Sequence, residues 1–392
     1  MNILIYINHT FSPLHGGIAN VSLWISRYLR EAGHRVYLVS TKKTHPDTVD
    51  NQYYLSCANS SYCKENAIRF AEMCREWEID IVINQSGTTP THNESIRYAN
   101  QANVPVVTVI HNSLSGIYGI NARIKRVHPL LKALGLWQLA DTLCQQIFKW
   151  KYGKHYRYQH EHSQRIVLLS NLFKDEYAAF VGLCDGKVTS IPNVLTLDEL
   201  PDVLPIKTKE VIFVGRLAAE KRVDLLLKIW SKVEEKFPDW KLTIVGATSE
   251  SDTSLATALH RQATDLKLQR VSFEGYQPPK KYYQRGAIFC MTSAYEGFGL
   301  VLIEAMAFGS FPLAFNSYAN ACEIIDNTLN GFLISPFDVN DYAKHLAHLM
   351  NDQNLRTQMA IEAMKKSKVF SKEQITLRWE KLFKEIKSNK NS

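Results

Sequence analysis

The chain has 392 residues, 45% of them hydrophobic and 21% charged, which is typical of a globular protein and excludes a disordered or fibrous one. This length exceeds the size at which one hydrophobic core keeps growing, so we expect two domains. The seven cysteines are scattered without a Cys-x-x-Cys pair, which disfavours a disulfide framework or zinc ribbon and favours a reducing compartment. The chain starts with a strand-like rather than a signal-like segment, and no apolar run has the roughly 18–20 residues of a membrane span, so we expect a cytoplasmic protein.

The net charge of +8 is concentrated in one segment of the chain. Between Ala122 and Lys174 there are ten Lys or Arg residues against Asp141 and Glu161, and aromatic residues are interleaved with them, most densely over 122–162. Such a segment suits an anionic membrane surface or a phosphate-bearing partner. Solvated helices whose aromatic side chains pack inward explain the pattern equally well. No nucleic-acid-binding module accompanies the charge, so we expect no nucleic acid partner.

Short β-branched runs alternate with helical patterns along the chain, which predicts α/β domains with parallel sheets. In the first half we predict strands at Asn2–Asn8, Arg35–Ser40, Asp80–Asn84, Val104–Ile110, Arg165–Leu169 and Lys187–Ile191. The clearest helical patterns of this half are Ile18–Ala32, Glu65–Trp77 and Asn93–Ala102.

The second half repeats this rhythm of strands and helices. Its predicted strands are Glu210–Val214, Lys241–Val245, Val271–Glu274, Ala287–Met291 and Phe311–Ala314. Its predicted helices are Lys221–Lys236, Ser254–Leu266 and Val301–Phe308. The proline-containing and acidic stretch Leu197–Pro205 is typical of a linker, so we predict domains at 1–205 and 206–371. We expect a final helix within 372–392 to pack back towards the first domain.

The most informative stretch is Tyr295–Ala307, where two carboxylates flank a glycine-rich turn that leads into a helix. The first amides of a helix are unpaired and partly positive, so this turn can hold an anion, which the glycines allow to approach closely. Glu296 lies ahead of the turn and Glu304 two turns into the predicted helix. The pattern therefore predicts a site that holds hydroxyl groups on either side of a phosphate, as in a sugar nucleotide.

Two candidate positions in the first half follow predicted strands. Gly16 and Gly17 open a helix and can bind an anion or sugar through backbone amides, although glycines also simply permit a tight turn. They lack the GxGxxG spacing of a dinucleotide site. His111 follows the strand Val104–Ile110, where an imidazole could hold a sugar hydroxyl or a leaving-group oxygen; a structural loop histidine is the alternative.

Arg216 and Lys221 follow the first predicted strand of the second half. Two fixed cations there would neutralise a diphosphate, Arg through bidentate geometry and Lys as a point charge. The alternative is a surface ion pair with Glu220 or Asp224, which explains Lys221 better than Arg216.

Together these motifs resemble the retaining glycosyltransferases of family 4, which have the GT-B fold: two Rossmann-like domains with parallel sheets that face a central cleft. The similarity covers essentially the whole chain and is more specific in the second half. The matching segments are Ile191–Asn193, Gly215–Lys221, Ile244–Gly246, Val271–Gly275, Glu296–Gly309 and Asn330–Leu333.

The resemblance implies a role for each matching residue. Arg216 and Lys221 would bind the donor diphosphate, and Glu304 would bind the ribose hydroxyls. Glu296 and His111 would face the transferred sugar. The remaining implied donor-binding positions are Gly16, Gly17, Asn193, Gly215, Gly297, Phe298, Gly299 and Leu300. Such enzymes need no metal or other cofactor, and the sequence has no Asp-x-Asp metal motif; a UDP-sugar donor is expected from its frequency in the family.

The resemblance has departures and leaves alternatives open. Arg222 adds bulk and charge where the family often has glycine, and the basic segment is longer than a minimal member requires. We expect that segment to line the acceptor side and to touch the membrane, with a glycan or lipid-linked acceptor. A GT-B epimerase acting on UDP-N-acetylglucosamine would leave the segment unexplained. A catalytically inactive sugar-nucleotide-binding protein is the non-enzymatic alternative.

Overall fold

The structure is a computed structural model that describes residues 1–12, 16–44, 49, 51–57, 62–89, 91–118, 135–183, 185–248, 254–318 and 320–388. The chain forms two compact units. One comprises Met1–Thr196 together with Ser371–Ser392, and the other comprises Leu197–Phe370. Both are α/β units with a parallel sheet.

The first unit contains a seven-stranded sheet in the order β3-β2-β1-β4-β5-β6-β7. All of its strand pairs are parallel, and the central strands are fully buried, which explains their continuous apolar runs. The structure confirms six predicted strands, but the prediction missed β3, an edge strand of only three residues. The strands are β1 Asn2–Ile7, β2 Arg35–Ser40, β3 Gln52–Tyr54, β4 Ile81–Asn84, β5 Val106–Ile110, β6 Arg165–Leu168 and β7 Val188–Ser190.

The helices of this unit connect successive strands. Those within its first 196 residues are α1 Gly17–Glu31, α2 Lys64–Glu76, α3 Glu94–Gln101, α4 Leu114–Tyr118, α5 Trp137–His162 and α6 Phe173–Val181. Of the basic segment predicted over 122–162, residues 122–134 lie outside the described residues, and the remainder is largely the 26-residue helix α5. Among the described residues, no helix combines the length and the apolar character needed to cross a membrane.

The second unit contains a six-stranded parallel sheet in the order β10-β9-β8-β11-β12-β13. All five predicted strands of this half are present. The segment Asn330–Leu333, matched to a family turn, begins in a turn and runs into a sixth strand, which was missed because it has only three residues. The strands are β8 Thr208–Val214, β9 Lys241–Val245, β10 Val271–Phe273, β11 Gly286–Met291, β12 Phe311–Phe315 and β13 Phe332–Ile334.

The helix predicted over Lys221–Lys236 is wrong in its bounds. Arg222 has φ 50° and ψ 43°, a left-handed conformation that separates a 3-10 turn at Ala219–Lys221 from the helix that starts at Val223. Lys221 therefore lies in a tight turn rather than in a helix. The helices of this unit are α7 Val223–Ser231, α8 Ser254–Asp265, α9 Lys280–Arg285, α10 Leu300–Ala307, α11 Ala321–Ile324, α12 Val339–Asn351 and α13 Gln353–Ser367.

The boundary between the units lies at Thr196/Leu197, earlier than the predicted position near residue 205. The stretch 197–205 belongs to the second unit because its side chains contact that unit. Glu199 forms an ion pair with Lys280, and the Leu204 side chain lies against Gly309. The last helix, α14 Lys372–Ser388, belongs to the first unit and packs against α1.

Candidate active site

In the second unit, the candidate residues lie at the carboxyl ends of β8 and β11. These strands are neighbours at the centre of the sheet, where the strand order reverses, a position at which α/β folds commonly bind ligands. The backbone N–H of Ala294 donates to the carbonyl of Glu220 at 2.6 Å, and the Thr292 hydroxyl donates to the carbonyl of Lys221 at 3.0 Å. These bonds fix the turn after β8 against the loop after β11.

Lys221 and Glu296 form an ion pair at this point, with Nζ and Oε1 2.5 Å apart. The side chains are only 18% and 11% exposed. The Ser293 hydroxyl donates to the same carboxylate oxygen at 2.6 Å. Glu296 also raises the pKa of the nearby Tyr318 hydroxyl, second to the effect of burial. A largely buried carboxylate is thus paired with a lysine that is itself held by its turn.

Arg216 has a different partner. Its Nη2 lies 3.0 Å from Oε1 of Glu220, and its side chain is 66% exposed. The sequence analysis offered a surface ion pair as the alternative role of these cations and expected it for Lys221 rather than Arg216. The structure shows this surface pair at Arg216 instead. Such an exposed contact contributes little to stability, so the Arg216 guanidinium can exchange Glu220 for another anion at small cost.

The turn between the two glutamates ends at Gly299, which caps α10. Gly299 has φ 90°, a conformation that other residues rarely adopt, and a Cβ there would lie 3.3 Å from Leu302 and 3.4 Å from the Tyr318 hydroxyl. The side-chain amide of the buried Asn320 donates to the carbonyl of Gly297 at 2.8 Å. Phe298 is buried, with its ring 5.7 Å from that of Phe370. The backbone amides from Leu300 onward are thus held in a fixed position at the start of the helix.

Glu304 lies in α10, slightly more than one turn after Leu300 rather than two turns in. It is 7% exposed, and its Oε2 accepts a hydrogen bond from the Tyr283 hydroxyl at 2.9 Å. The Tyr283 ring is fully buried, which together with Glu304 raises the pKa of its hydroxyl. Tyr283 therefore remains a donor and fixes the carboxylate in one orientation.

Close backbone packing positions the turn that carries Arg216. Gly215 donates to the carbonyl of Val245 at 3.0 Å, and Leu217 donates to Ala247 at 2.9 Å. A Cβ on Gly246 would lie 1.8 Å from the carbonyl oxygen of Gly215, so only glycine fits there. The turns after β8 and β9 are consequently in direct backbone contact.

In the first unit, His111 lies at the carboxyl end of β5 and is 5% exposed. Its Nε2 lies 2.7 Å from Oε1 of Gln85, which follows the adjacent strand β4, and its backbone N–H donates to the Thr88 hydroxyl. Burial lowers the pKa of His111 to about 4. The imidazole is therefore neutral near pH 7, which suits a hydrogen-bonding role and not that of a cation.

The other candidates of the first unit are at the carboxyl edge of its sheet or in the segment that leaves it. Gly16 caps α1 with φ 99°, and a Cβ there would meet no described atom within 4 Å. Gly17 is the first residue of α1 and is exposed. Asn193 is 6% exposed in the extended stretch after β7. The structure thus brings together Lys221 with Glu296 and places Glu304 on the helix that follows them.

The sequence did not indicate the side chains that hold the candidates in place. Ser293 and Tyr283 carry no local signal, because their contacts with Glu296 and Glu304 arise only from the packing of the sheet and its helices. Gln85 could have been found, because it directly follows the predicted strand Asp80–Asn84, just as His111 directly follows Val104–Ile110, and the two strands are neighbours. His111 was selected as a polar residue at the carboxyl end of a strand, and Gln85 meets the same criterion.

Comparisons with known proteins agree with the fold. A model for Glycosyltransferase Family 4 matches residues 15–199, and a model for Glycosyl transferases group 1 matches residues 198–366. An uncharacterised glycosyltransferase of Haemophilus influenzae is 32% identical over 196 residues, which are 50% of this chain and 54% of that protein. The amylovoran biosynthesis glycosyltransferase AmsD of Erwinia amylovora is 29% identical over 224 residues, 55% of this chain and 61% of that protein.

The matched regions span little more than half the length of these relatives. A variant of Staphylococcus aureus TarM, crystallised with fondaparinux, α-GlcNAc-glycerol and UDP, superposes with a TM-score of 0.74 at 15% identity, covering 97% of this chain and 99% of that one. The two adjoining family models account for residues 15–366. The chain therefore belongs to glycosyltransferase family 4 and has the GT-B fold.

Proposed function

We propose that this chain is a retaining, metal-independent glycosyltransferase. It would move a sugar from a nucleoside-diphosphate sugar to a glycan or lipid-linked acceptor in surface polysaccharide biosynthesis. The observation that carries the proposal is the Lys221–Glu296 pair beside the start of α10, with Glu304 further along that helix. Family membership and the amylovoran-pathway relative support the same chemistry.

The donor would occupy the carboxyl edge of the second unit. Glu304, oriented by Tyr283, accepts hydrogen bonds from the ribose hydroxyls. The amides that start α10 and the cations Arg216 and Lys221 bind the diphosphate. We propose a UDP-sugar as the donor, since UDP is bound in the TarM structure. His111 keeps the role towards the sugar that the family resemblance implies.

Cleavage of the glycosyl bond leaves negative charge on the departing diphosphate. Fixed positive groups that meet this charge lower the barrier because they need no reorganisation during the reaction, and removing one such donor typically costs about 10²–10³ in kcat. Lys221 is well suited, because its turn is bonded to the loop after β11. Glu296 holds the ammonium and can accept a hydrogen bond from a sugar hydroxyl through its second oxygen.

Donor identity can be tested by thermal shift with UDP, GDP and ADP, followed by hydrolysis of the corresponding sugars. We expect UDP to raise the melting temperature most, because a ligand that binds only the folded state stabilises it by mass action. Glu304→Gln should reduce this shift, whereas Glu362→Gln, which changes a half-buried carboxylate of α13 that pairs with Lys365, should not. No shift with any nucleotide and no hydrolysis of any donor would rule out the proposal.

Stereochemistry and metal independence need separate measurements. Proton NMR of the first-formed product should show the anomeric configuration of the donor, which identifies retention. Turnover should be unchanged in excess EDTA, because Arg216, Lys221 and the amides of α10 supply the positive charge. An inverted product, or activity lost in EDTA and restored by Mg²⁺, would refute the corresponding part of the proposal.

We further propose that the protein is cytoplasmic and works at an anionic membrane surface through α5. The two faces of this helix differ. Phe148, Tyr152 and Tyr156 pack inward, with the rings of Phe148 and Tyr152 stacked against Tyr118 at 5.0 and 5.4 Å. The outer face carries four exposed apolar side chains: Leu139, Leu143, Ile147 and Trp150, which are 60%, 55%, 58% and 86% exposed.

These four side chains form one stripe along the helix. At about 100° per residue they fall within an arc of roughly 80°. Lys151 borders the stripe and Lys154 continues it by one turn, whereas the Lys149 ammonium donates to the carbonyl of Ala179. An apolar stripe bordered by lysines is typical of helices that lie in the interface of an anionic bilayer. These two lysines at about 1 kcal/mol each would favour anionic over neutral lipid by roughly 30-fold.

Flotation with phosphatidylcholine vesicles, with and without phosphatidylglycerol, tests this surface. We expect recovery with the anionic vesicles only, and its loss in Ile147→Ser/Trp150→Ser. Leu377→Ser is the matched control, because Leu377 is 63% exposed on α14, outside the stripe. Equal recovery with both vesicle types, or full recovery of the double variant, would contradict the proposed membrane surface.

A further inference from the structure

Two cysteine thiols lie in contact in the first unit. Cys57 follows β3 and Cys63 directly precedes α2. Their sulfur atoms are 2.6 Å apart, and both side chains are partly exposed. With Glu65 they form the one group of three side chains suited to bind a metal within the described part of the chain.

The backbone of both cysteines is held by buried polar groups. The side chain of Asn66, fully buried in α2, accepts from the N–H of Cys57 and donates to its carbonyl, each at 2.9 Å. The N–H of Cys63 donates to the Tyr98 hydroxyl at 3.1 Å, and its carbonyl accepts from Ala67 at 3.0 Å. The approach of the two sulfurs is therefore fixed by the surrounding structure.

The two thiols differ in acidity. A hydrogen bond with Cys57 and then the backbone N–H of Asn66 lower the pKa of Cys63, as expected at the N-terminus of a 13-residue helix. The Cys57 thiol donates to Oε2 of Glu65 at 3.2 Å. The hydrogen bonds with Cys63 and Glu65 raise the pKa of Cys57 to about 12. Cys63 is therefore the nucleophile of the pair, and Cys57 keeps its proton in the reduced state.

The separation of the sulfurs distinguishes a disulfide from a metal site. Two thiolates on one zinc ion, each about 2.3 Å from it, stand roughly 3.8 Å apart. The sulfurs of a disulfide are about 2.05 Å apart. From 2.6 Å, a disulfide needs an approach of about 0.5 Å, whereas zinc needs an opening of more than about 1 Å. We propose that Cys57 and Cys63 are a reversible dithiol–disulfide site that exchanges with low-molecular-weight disulfides.

The exchange consists of two balanced steps with a glutathione-type disulfide. The Cys63 thiolate attacks one sulfur, the S–S bond of the oxidant breaks, and one glutathione thiolate leaves. Cys57 then attacks the sulfur of Cys63 and releases the second glutathione, whose thiolate takes up the proton that Cys57 loses. The two protein thiols lose two electrons and two protons in total, and one glutathione disulfide becomes two glutathione thiols.

Peptide mapping by mass spectrometry after exposure of the full chain to glutathione disulfide tests the proposal. We expect the wild type to carry a Cys57–Cys63 crosslink about 2 Da lighter than the two thiols, fully reversed by reduced glutathione. The exposed Cys322 is the internal control and should carry only a glutathione adduct. Cys57→Ser should retain one glutathione on Cys63, and Cys63→Ser should react at least about tenfold more slowly at Cys57.

Two results would overturn the proposal. One is a stable glutathione adduct on either cysteine of the wild type without the crosslink. The other is stoichiometric protection of both cysteines by Zn²⁺ alone, which would identify a metal site instead. Because the main readout uses the unmodified protein and no sugar donor, neither result depends on the glycosyl-transfer proposal.

Discussion

Replacement of Lys221 by methionine separates a catalytic role from a structural one. Methionine keeps most of the side-chain volume but removes the ammonium that lies 2.5 Å from Glu296. If Lys221 stabilises the departing diphosphate, kcat should fall about 10²–10³-fold. The fold should lose only about 1.5–3 kcal/mol, the contribution of one hydrogen bond to a charged group, because Ser293 still donates to Glu296.

The double variant Lys221→Met/Glu296→Gln distinguishes the two roles further. Removing both charges should recover most of the stability, since no uncompensated carboxylate remains, whereas turnover should stay low. Both quantities can be measured on the same preparations, by urea unfolding and by release of UDP at saturating donor.

Arg285→Met is the matched control. It removes one of the two cations of Glu210, a fully buried carboxylate at the opposite end of β8 that Arg285 binds at 2.7 and 3.0 Å, while Lys241 remains 3.4 Å away. This change should cost about 1.5–3 kcal/mol of stability, because Thr243 and Lys241 still contact Glu210, but leave the turnover of the folded enzyme within about threefold. Turnover of Lys221→Met within the same range, or its rescue in the double variant, would refute the leaving-group role.

Three further predictions concern neighbouring residues. Arg216→Ala should lower kcat about 10²-fold while stability changes by no more than about 0.5 kcal/mol, because the side chain is 66% exposed; unchanged kcat would show that its pair with Glu220 is only structural. Glu304→Ala should weaken UDP binding in calorimetry by about 10- to 100-fold with a smaller effect on kcat, and unchanged affinity would contradict the ribose role. Burial lowers the pKa of His111 to about 4, so the first unit should lose stability as the pH falls from about 6.5 towards 4, and the pH profile of kcat should show no step near pH 6.5. Gln85→Glu should raise the pKa of His111 and add a decrease of kcat on the acid side of that profile. If no such decrease appears, the two side chains are not in contact.

The sequence predicted the long elements well because burial on both faces leaves continuous apolar runs. All eleven predicted strands exist. The prediction missed β3 and β13 because a strand of three residues is too short to show a recognisable pattern of apolar residues. The single helix predicted over 221–236 failed at Arg222, whose left-handed conformation has no signature in residue types that otherwise favour a helix.

The candidate site was predictable where residues adjoin in the chain and unpredictable where they meet only in space. The spacing of Glu296 and Glu304 around a glycine turn indicated the turn and the helix start that the structure contains. The spacing did not indicate which carboxylate each cation binds. Arg216 pairs with Glu220, four residues away, and Lys221 pairs with Glu296, which follows the neighbouring strand β11. Tyr283 gave no signal, because nothing in its local pattern indicates that its hydroxyl reaches Glu304.

The pair formed by Lys221 and Glu296 spans 75 residues of chain, which has a consequence for how the protein folds. Between them the chain completes β9 and β10 before β11 returns to pair with β8. The entropy of closing so long a loop is lost before the contact forms, so non-local pairing of this kind comes slowly. Nucleotide affinity should therefore emerge as the last event of refolding, and added UDP should stabilise the finished unit without accelerating the earlier pairing of β9 with β10.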